Sequence, residues 1–85
     1  MITSKQRSFL KSMAHSIDPV VYIGKAGVTD NVIKEIDTCL ETRELVKVKL
    51  QEGCDLSPKE VANDVAAKLK AEFVQAIGRK FTLYR

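Results

Sequence analysis

The sequence has one histidine, two cysteines and no tryptophan. His15 falls on the polar side of a predicted helix, and neither Cys39 nor Cys54 has a histidine near it in sequence. A thiol nucleophile therefore lacks a visible activating base, and these residues are too few for a structural zinc site. We expect no enzymatic activity, no catalytic residue, no metal and no cofactor. The two cysteines are expected to be reduced thiols, as in a cytoplasmic protein.

Long apolar runs are also absent. None approaches the roughly 18–20 residues of a membrane span, and the N-terminal residues lack the continuous apolar stretch of a signal peptide. A hydrophobic content of 45% with 29% charged residues is typical of a soluble globular protein. We therefore expect a single cytoplasmic domain over residues 1–85, without a membrane partner.

Helical and extended patterns alternate along the chain. Helical spacing of apolar residues predicts helices over residues 3–15 and 29–42 and from Ser57 onward, whereas strands are predicted over 20–23, 45–50, 73–77 and 80–84. The unbroken apolar run of the first strand predicts a central strand, and alternation in the second predicts one wet face of the sheet. The predicted fold is α/β, a two-layer sandwich of order α-β-α-β-α-β-β, with a mixed four-stranded sheet and helices on one side.

The first predicted helix has an apolar side and a basic side. Its apolar side, predicted to be buried, consists of Phe9, Leu10, Met13, Ala14 and Ile17. On the other side Arg7 and Lys11 lie four residues apart, a mildly repulsive spacing that no acid in the helix relieves. This side is either a solvated surface or a surface for an anionic partner.

A glycine loop separates the first strand from the second helix; its residues are Gly24, Lys25, Ala26 and Gly27. Glycines allow close approach of the backbone to an anion, and a helix N-terminus supplies unpaired amides and partial positive charge. The spacing matches neither a Walker loop nor a dinucleotide-binding turn. Glycines in such a turn can also be purely structural. A loop of the GxxG type can instead clamp a nucleic-acid backbone, as in KH domains.

Charge is segregated along the chain. Residues 1–27 and 76–85 each carry a net charge of +3, whereas residues 28–75 carry −3. If the basic ends meet beside the glycine loop, they form one positive surface suited to RNA. We therefore expect RNA as the ligand and no small-molecule substrate. Tyr22 and Tyr84 are candidate stacking surfaces. The basic residues assigned to this surface, beyond the loop itself, are Arg7, Lys11, Arg79, Lys80 and Arg85.

Several separated motifs in this order resemble the CRM domain, the chloroplast RNA splicing and ribosome maturation domain. They are Ala14-His15, Pro19-Val20, residues 23–29, residues 44–49, Ile77-Gly78-Arg79 and Leu83-Tyr84-Arg85. A stand-alone copy of this length resembles the bacterial, YhbY-type members. The resemblance implies a fold similar to the C-terminal domain of translation initiation factor three and places the family's loop on residues 24–27. It also implies binding of ribosomal RNA in precursors of the large ribosomal subunit.

We therefore expect an RNA-binding protein that assists ribosome assembly. The alternative is a protein-interaction module that docks on a ribosomal protein or assembly factor. Its docking surface is the acidic face predicted for the second helix, which includes Glu35 and Asp37.

Overall fold

The structure, a computed structural model, describes residues 2–85; Met1, the first residue of the predicted domain, lies outside the described residues. Three helices and four strands alternate in the predicted order. They are α1 (Ser4–Ala14), β1 (Val21–Ile23), α2 (Asp30–Arg43), β2 (Leu45–Leu50), α3 (Pro58–Leu69), β3 (Glu72–Ile77) and β4 (Lys80–Tyr84).

Each helix begins at a residue that caps it. The Thr3 hydroxyl accepts a hydrogen bond from the Gln6 amide at 3.1 Å, and the Gln6 side chain accepts one from the Thr3 amide at 2.9 Å. Thr29 and Ser57 cap α2 and α3 through their hydroxyl oxygens. Such caps satisfy amides that have no partner within the helix, which explains why the predicted and observed helix starts agree.

The four strands form one mixed sheet in the order β1-β2-β4-β3. β1 pairs with β2 in parallel, and the other two pairings are antiparallel. β1 therefore lies at an edge, and the prediction of a central strand was wrong. Its apolar run is misleading because it does not lie on one face: Val21 and Ile23 are buried in the core, while Tyr22 is 49% exposed on the opposite face.

The main core lies between one face of the sheet and the helices α2 and α3. The sheet contributes alternate residues of each strand, and the helices contribute their predicted apolar stripes. Its fully buried large side chains include Ile23, Ile36, Leu40, Val48 and Phe81. Both cysteines are free thiols, Cys54 within this core and Cys39 packed against it.

The other face of the sheet is covered in part by α1, so the prediction of two layers with all helices on one side was wrong. Lys47 alternates with the core residues Val46 and Val48 and therefore points away from the core. Its Nζ donates to the carbonyl oxygens of Ala14 at 3.0 Å and Ile17 at 3.4 Å. The part of this face around Lys47 is thus a docking surface for the C-terminal end of α1, which sequence alternation could not distinguish from a solvated surface.

The orientation of α1 also differs from the prediction. Leu10 and Ala14 are buried, but Phe9 is 66% exposed and Met13 is 42% exposed. Arg7, expected on the exposed side, is instead half-buried. The helix is therefore rotated about its axis relative to the prediction, which partly buries Arg7 and leaves Phe9 largely exposed. Among residues 2–85, no helix combines the length and the apolar character needed to cross a bilayer.

Candidate functional site

Three connections of the chain meet at one end of the sheet. β1 and β2 are parallel and finish at the same end, where β3 also ends and β4 begins. The Gln51 amide donates to the Ile23 carbonyl at 2.8 Å, and the Leu50 amide donates to the Arg79 carbonyl at 2.7 Å. We refer to this end as the loop end. It brings together the glycine loop (residues 24–27), the segment after β2 and the hairpin turn at Gly78 and Arg79.

The glycine loop is a closed reverse turn. The Gly27 amide donates to the Gly24 carbonyl at 3.0 Å, and Lys25 and Ala26 form its exposed tip. Gly27 has a φ of +76°, and a Cβ on Gly24 would lie 3.2 Å from Oε1 of Gln51. The positive φ of Gly27 is a requirement of the turn, whereas a side chain at Gly24 would only displace the exposed Gln51 side chain. The turn leaves Lys25 exposed at the loop end.

Fewer backbone amides are free to bind an anion at the glycine loop than the sequence predicts. The Gly27 amide is used within the turn, and Thr29 caps α2 by accepting from the Val32 amide at 3.2 Å. Asp30 in the first turn of α2 further offsets the positive end of the helix dipole. The Lys25 and Ala26 amides donate to no backbone carbonyl within residues 2–85. An anion at this loop would therefore meet the Lys25 ammonium group and the tip of the turn.

The β3–β4 hairpin brings two of the predicted cations to the loop end. Gly78, with a φ of +62°, and Arg79 form a two-residue turn between the paired residues Ile77 and Lys80. The Arg79 guanidinium donates to the carbonyl oxygens of Leu50 and Gln51, both at 3.4 Å, and also to that of Cys54.

These acceptors carry no formal charge. Arg79 therefore fixes the segment after β2 and still contributes a full positive charge to the loop end. Lys80 forms no ion pair with another described residue and adds a second charge beside it.

The two predicted cations of α1 lie farther away. The Ile2 amide donates to Oε1 of Glu72 at 2.7 Å, so the chain enters α1 at the opposite end of the sheet. α1 then runs toward the loop end, where His15 borders a cleft of about 300 Å³ beside Lys80. Lys11 is exposed about one turn before His15. Arg7 lies about two turns before it and has a buried Nε without a hydrogen-bond partner among the described residues.

Arg85 is not part of the loop end. Its guanidinium forms ion pairs with Asp37 and Glu41, both at 2.8 Å, and donates to the Leu69 carbonyl at 2.8 Å. Because Tyr84 pairs with Leu45 at the start of β2, Arg85 follows β4 at the far end of the sheet. Its charge is neutralised there by α2.

Two residues at the loop end were missed or only partly recognised in the sequence. Alternation in β2 predicts Lys49 on the wet face, but no sequence pattern assigns it to the site, although it pairs with Tyr22 on one side and with Lys80 on the other. The sequence predicts Tyr22 as a candidate for stacking, and its side chain is 49% exposed. The register that joins them depends on strand pairing, which local sequence patterns do not specify. Over residues 2–85, no three histidine, cysteine or acidic side chains gather in a way that could hold a metal ion.

Comparison with known proteins identifies the family. The family model described as "CRS1 / YhbY (CRM) domain" matches residues 2–85. A Bacillus subtilis protein named "Probable RNA-binding protein YqeI" is 41% identical over 85 residues, covering 100% of this chain and 88% of its own length. A Haemophilus influenzae protein named "RNA-binding protein" is also 41% identical over 85 residues, covering 99% of this chain and 85% of its own length.

The fold matches a solved relative as well. The solution structure of the Staphylococcus aureus protein SAV1595 superposes with a TM-score of 0.86 at 44% sequence identity. The match covers 100% of this chain and 88% of that chain. The resemblance drawn from the sequence motifs and the predicted α/β class with its mixed four-stranded sheet are both confirmed. This chain belongs to the CRS1/YhbY (CRM) domain family.

Proposed function

We propose that this protein binds RNA through the loop end of its sheet and acts by binding, without catalysis. The proposal rests on one observation: Lys25, Arg79 and Lys80 all lie at the same end of the sheet. None of the three is ion paired with another described residue. A group of cations without acidic partners is costly for an isolated fold and is suited to a polyanion. The relatives whose names include RNA binding support this choice of polyanion.

A binding role also agrees with the position of the only histidine. His15 lies on the α1 side of the sheet, whereas Cys39 and Cys54 belong to the core on the other side. The sheet therefore separates the one imidazole from both thiols, and a cysteine–histidine pair cannot form in this fold.

The salt dependence of RNA affinity tests the electrostatic part of the proposal. Neutralisation of about four phosphates of single-stranded RNA, by Lys25, Arg79, Lys80 and Lys11, gives a log–log slope near −3. Fluorescence anisotropy with a labelled oligonucleotide, repeated over a series of KCl concentrations, measures this slope. A slope near zero would contradict the proposal.

We further propose that the RNA is ribosomal RNA in precursors of the large subunit, bound in the cytoplasm during ribosome assembly. The family membership supports this finer assignment, together with a surface suited to an RNA backbone. Ultraviolet crosslinking in cells, followed by sequencing of the bound RNA, tests it. Crosslinks concentrated in large-subunit ribosomal RNA, from particles that sediment as precursors, are the expected result. Crosslinks spread over messenger or transfer RNA would contradict it.

The alternative docking surface, the acidic face of α2, has a role within the fold. Asp37 and Glu41 bind Arg85, which leaves Glu35 among the exposed acids of that face. Charge reversal at Glu35 distinguishes RNA binding from docking on a protein through α2. We expect Glu35→Lys to leave co-sedimentation with ribosomal precursors unchanged; abolition of co-sedimentation, with binding of free RNA intact, would favour the docking function.

A further inference from the structure

A row of side chains crosses all four strands near the loop end; Tyr22, Lys49 and Ile77 are exposed, and Lys80 is half-buried. Strand pairing aligns Tyr22 with Lys49, Lys49 with Lys80, and Lys80 with Ile77. Each of the four alternates with a residue that packs toward the α2–α3 core, so all four point to the face that carries α1. We call these residues the sheet row. At the usual spacing of strands the row spans about 14 Å.

α1 leaves the sheet row open. Tyr22 is 49% exposed and Ile77 is 58% exposed, and Lys49 is exposed between them in the adjacent strand. The cleft of about 300 Å³ between the end of α1 and the hairpin borders the row, and its lining includes His15 and Gln75. An extended ligand on the row therefore has polar groups beside it.

The two central lysines indicate the charge of the ligand. Lys49 and Lys80 are cross-strand neighbours, and neither forms an ion pair with a residue from 2 to 85. Like charges directly opposite each other destabilise a sheet. The repulsive pair lies between the exposed Tyr22 ring and the exposed Ile77 side chain. Such a row is suited to a ligand that has both phosphates and planar bases.

We propose that the sheet row binds a single-stranded stretch of RNA, with one base stacked on the Tyr22 ring and the backbone phosphates held by Lys49 and Lys80. This inference rests on the proposed function. It adds that the RNA bound at the loop end is single-stranded. Paired bases are stacked on each other and cannot cover the Tyr22 ring, whereas an unpaired base can. The glycine loop then continues the path, because Lys25 lies three residues after Tyr22 at the same end of the sheet.

Tyr22→Leu tests the stacking contact. The probe is a short fluorescein-labelled oligoadenylate, compared with an RNA duplex of the same length. We expect the substitution to weaken oligoadenylate binding by about tenfold and Tyr22→Phe to restore it, since every base stacks on an aromatic face. Duplex affinity should change by less than about twofold, because phosphate contacts dominate there. The matched control is Phe9→Leu, which removes another exposed aromatic ring, on α1, and should change neither affinity.

Tyrosine fluorescence gives a second readout. The chain has two tyrosines and no tryptophan, so Tyr84→Phe leaves Tyr22 as the sole strong fluorophore. Oligoadenylate should quench this emission at saturation, and the duplex should not. An unquenched signal with bound oligoadenylate would overturn the stacking contact.

Substitution in the lysine pair distinguishes a binding role from a structural role, because a residue kept for stability would not increase stability when it is replaced. Lys49→Thr should raise the urea midpoint of the free protein by removing the repulsion, while it weakens oligoadenylate binding by about fivefold at 0.1 M salt, the value for one lost phosphate contact.

The outcomes separate this inference from the function it rests on. If Tyr22→Leu and Lys49→Thr bind oligoadenylate as the unmodified protein does, while Lys25→Ala still weakens binding, the sheet row is overturned and the proposed function stands. If the unmodified protein binds neither RNA, both are overturned.

Discussion

Nη1 of Arg85 donates to Oδ1 of Asp37 at 2.8 Å, which joins the residue after β4 to the side of α2. The second terminal nitrogen binds Glu41 at 2.8 Å, and the Leu69 carbonyl at the end of α3 accepts from Nη1. One guanidinium thereby connects the last strand with two helices. Arg85 has a side-chain exposure of 23%, so these contacts are partly shielded from water.

Arg85→Ala should therefore destabilise the fold and leave RNA binding intact. The loss of a half-buried charge-assisted network is expected to lower the free energy of unfolding by about 1–2 kcal/mol. Urea denaturation followed by circular dichroism measures this change, and Arg85→Lys should recover only part of it because lysine cannot bind both acids through a planar fork. A large loss of RNA affinity in the folded variant would contradict this prediction and would indicate that Arg85 contacts RNA.

Lys25→Ala should produce the opposite pattern. Lys25 is exposed at the tip of the glycine loop, so the melting temperature should stay nearly unchanged. RNA affinity should fall about fivefold at 0.1 M salt, similarly for different RNA sequences, because one phosphate contact is lost. Lys34→Ala is the matched control, an exposed lysine on α2, and should have little effect. Equal losses for both variants would show that only net charge matters.

Lys47→Met should loosen α1. The hydrogen bonds from Lys47 to the carbonyls of Ala14 and Ile17 satisfy the C-terminal end of the helix, and methionine keeps the apolar stem but removes the donor. We expect a loss of about 1–2 kcal/mol and faster amide hydrogen exchange in α1 than in α2 or α3. Uniform exchange changes across all three helices would contradict a local role.

Gly27→Ala should test the turn that presents Lys25. A φ of +76° is unfavourable for alanine, so unfolding free energy is expected to fall by roughly 1 kcal/mol. RNA affinity should also fall, since the strained turn no longer holds Lys25 in place. Gly53→Ala is a control for strain alone: it has a φ of +96° and open space around it, and it lies in the neighbouring segment after β2, outside the turn that holds Lys25. It should lose stability without a comparable loss of affinity.

The helices and strands could be predicted closely because local signals specify them. Thr29 and Ser57 mark helix starts, and the Gly78-Arg79 hairpin joins two alternating strands. The α/β class and the family motifs followed from the same residues. These features depend on neighbours in sequence, so they can be recognised without the fold.

The arrangement of the elements was harder to predict. Alternation in β2 shows that Lys47 faces away from the core, but a solvated face and a face covered by a short helix give the same pattern. The exposure of Phe9 and the partial burial of Arg7 follow from the rotation of α1, which is set by packing. The neutralisation of Arg85 by Asp37 joins residues 48 positions apart, and no local pattern reports such a contact.

The loop end is assembled from segments that are far apart in the chain and are joined by the Ile23–Gln51 and Leu50–Arg79 hydrogen bonds. An unfolded chain cannot present these cations together, so RNA that binds there selects the folded state. Bound RNA should consequently act as a stabilising ligand, worth about 2.7 kcal/mol when its free concentration is a hundredfold above Kd. The stability of this small protein inside a cell is then set partly by the amount of RNA available to it.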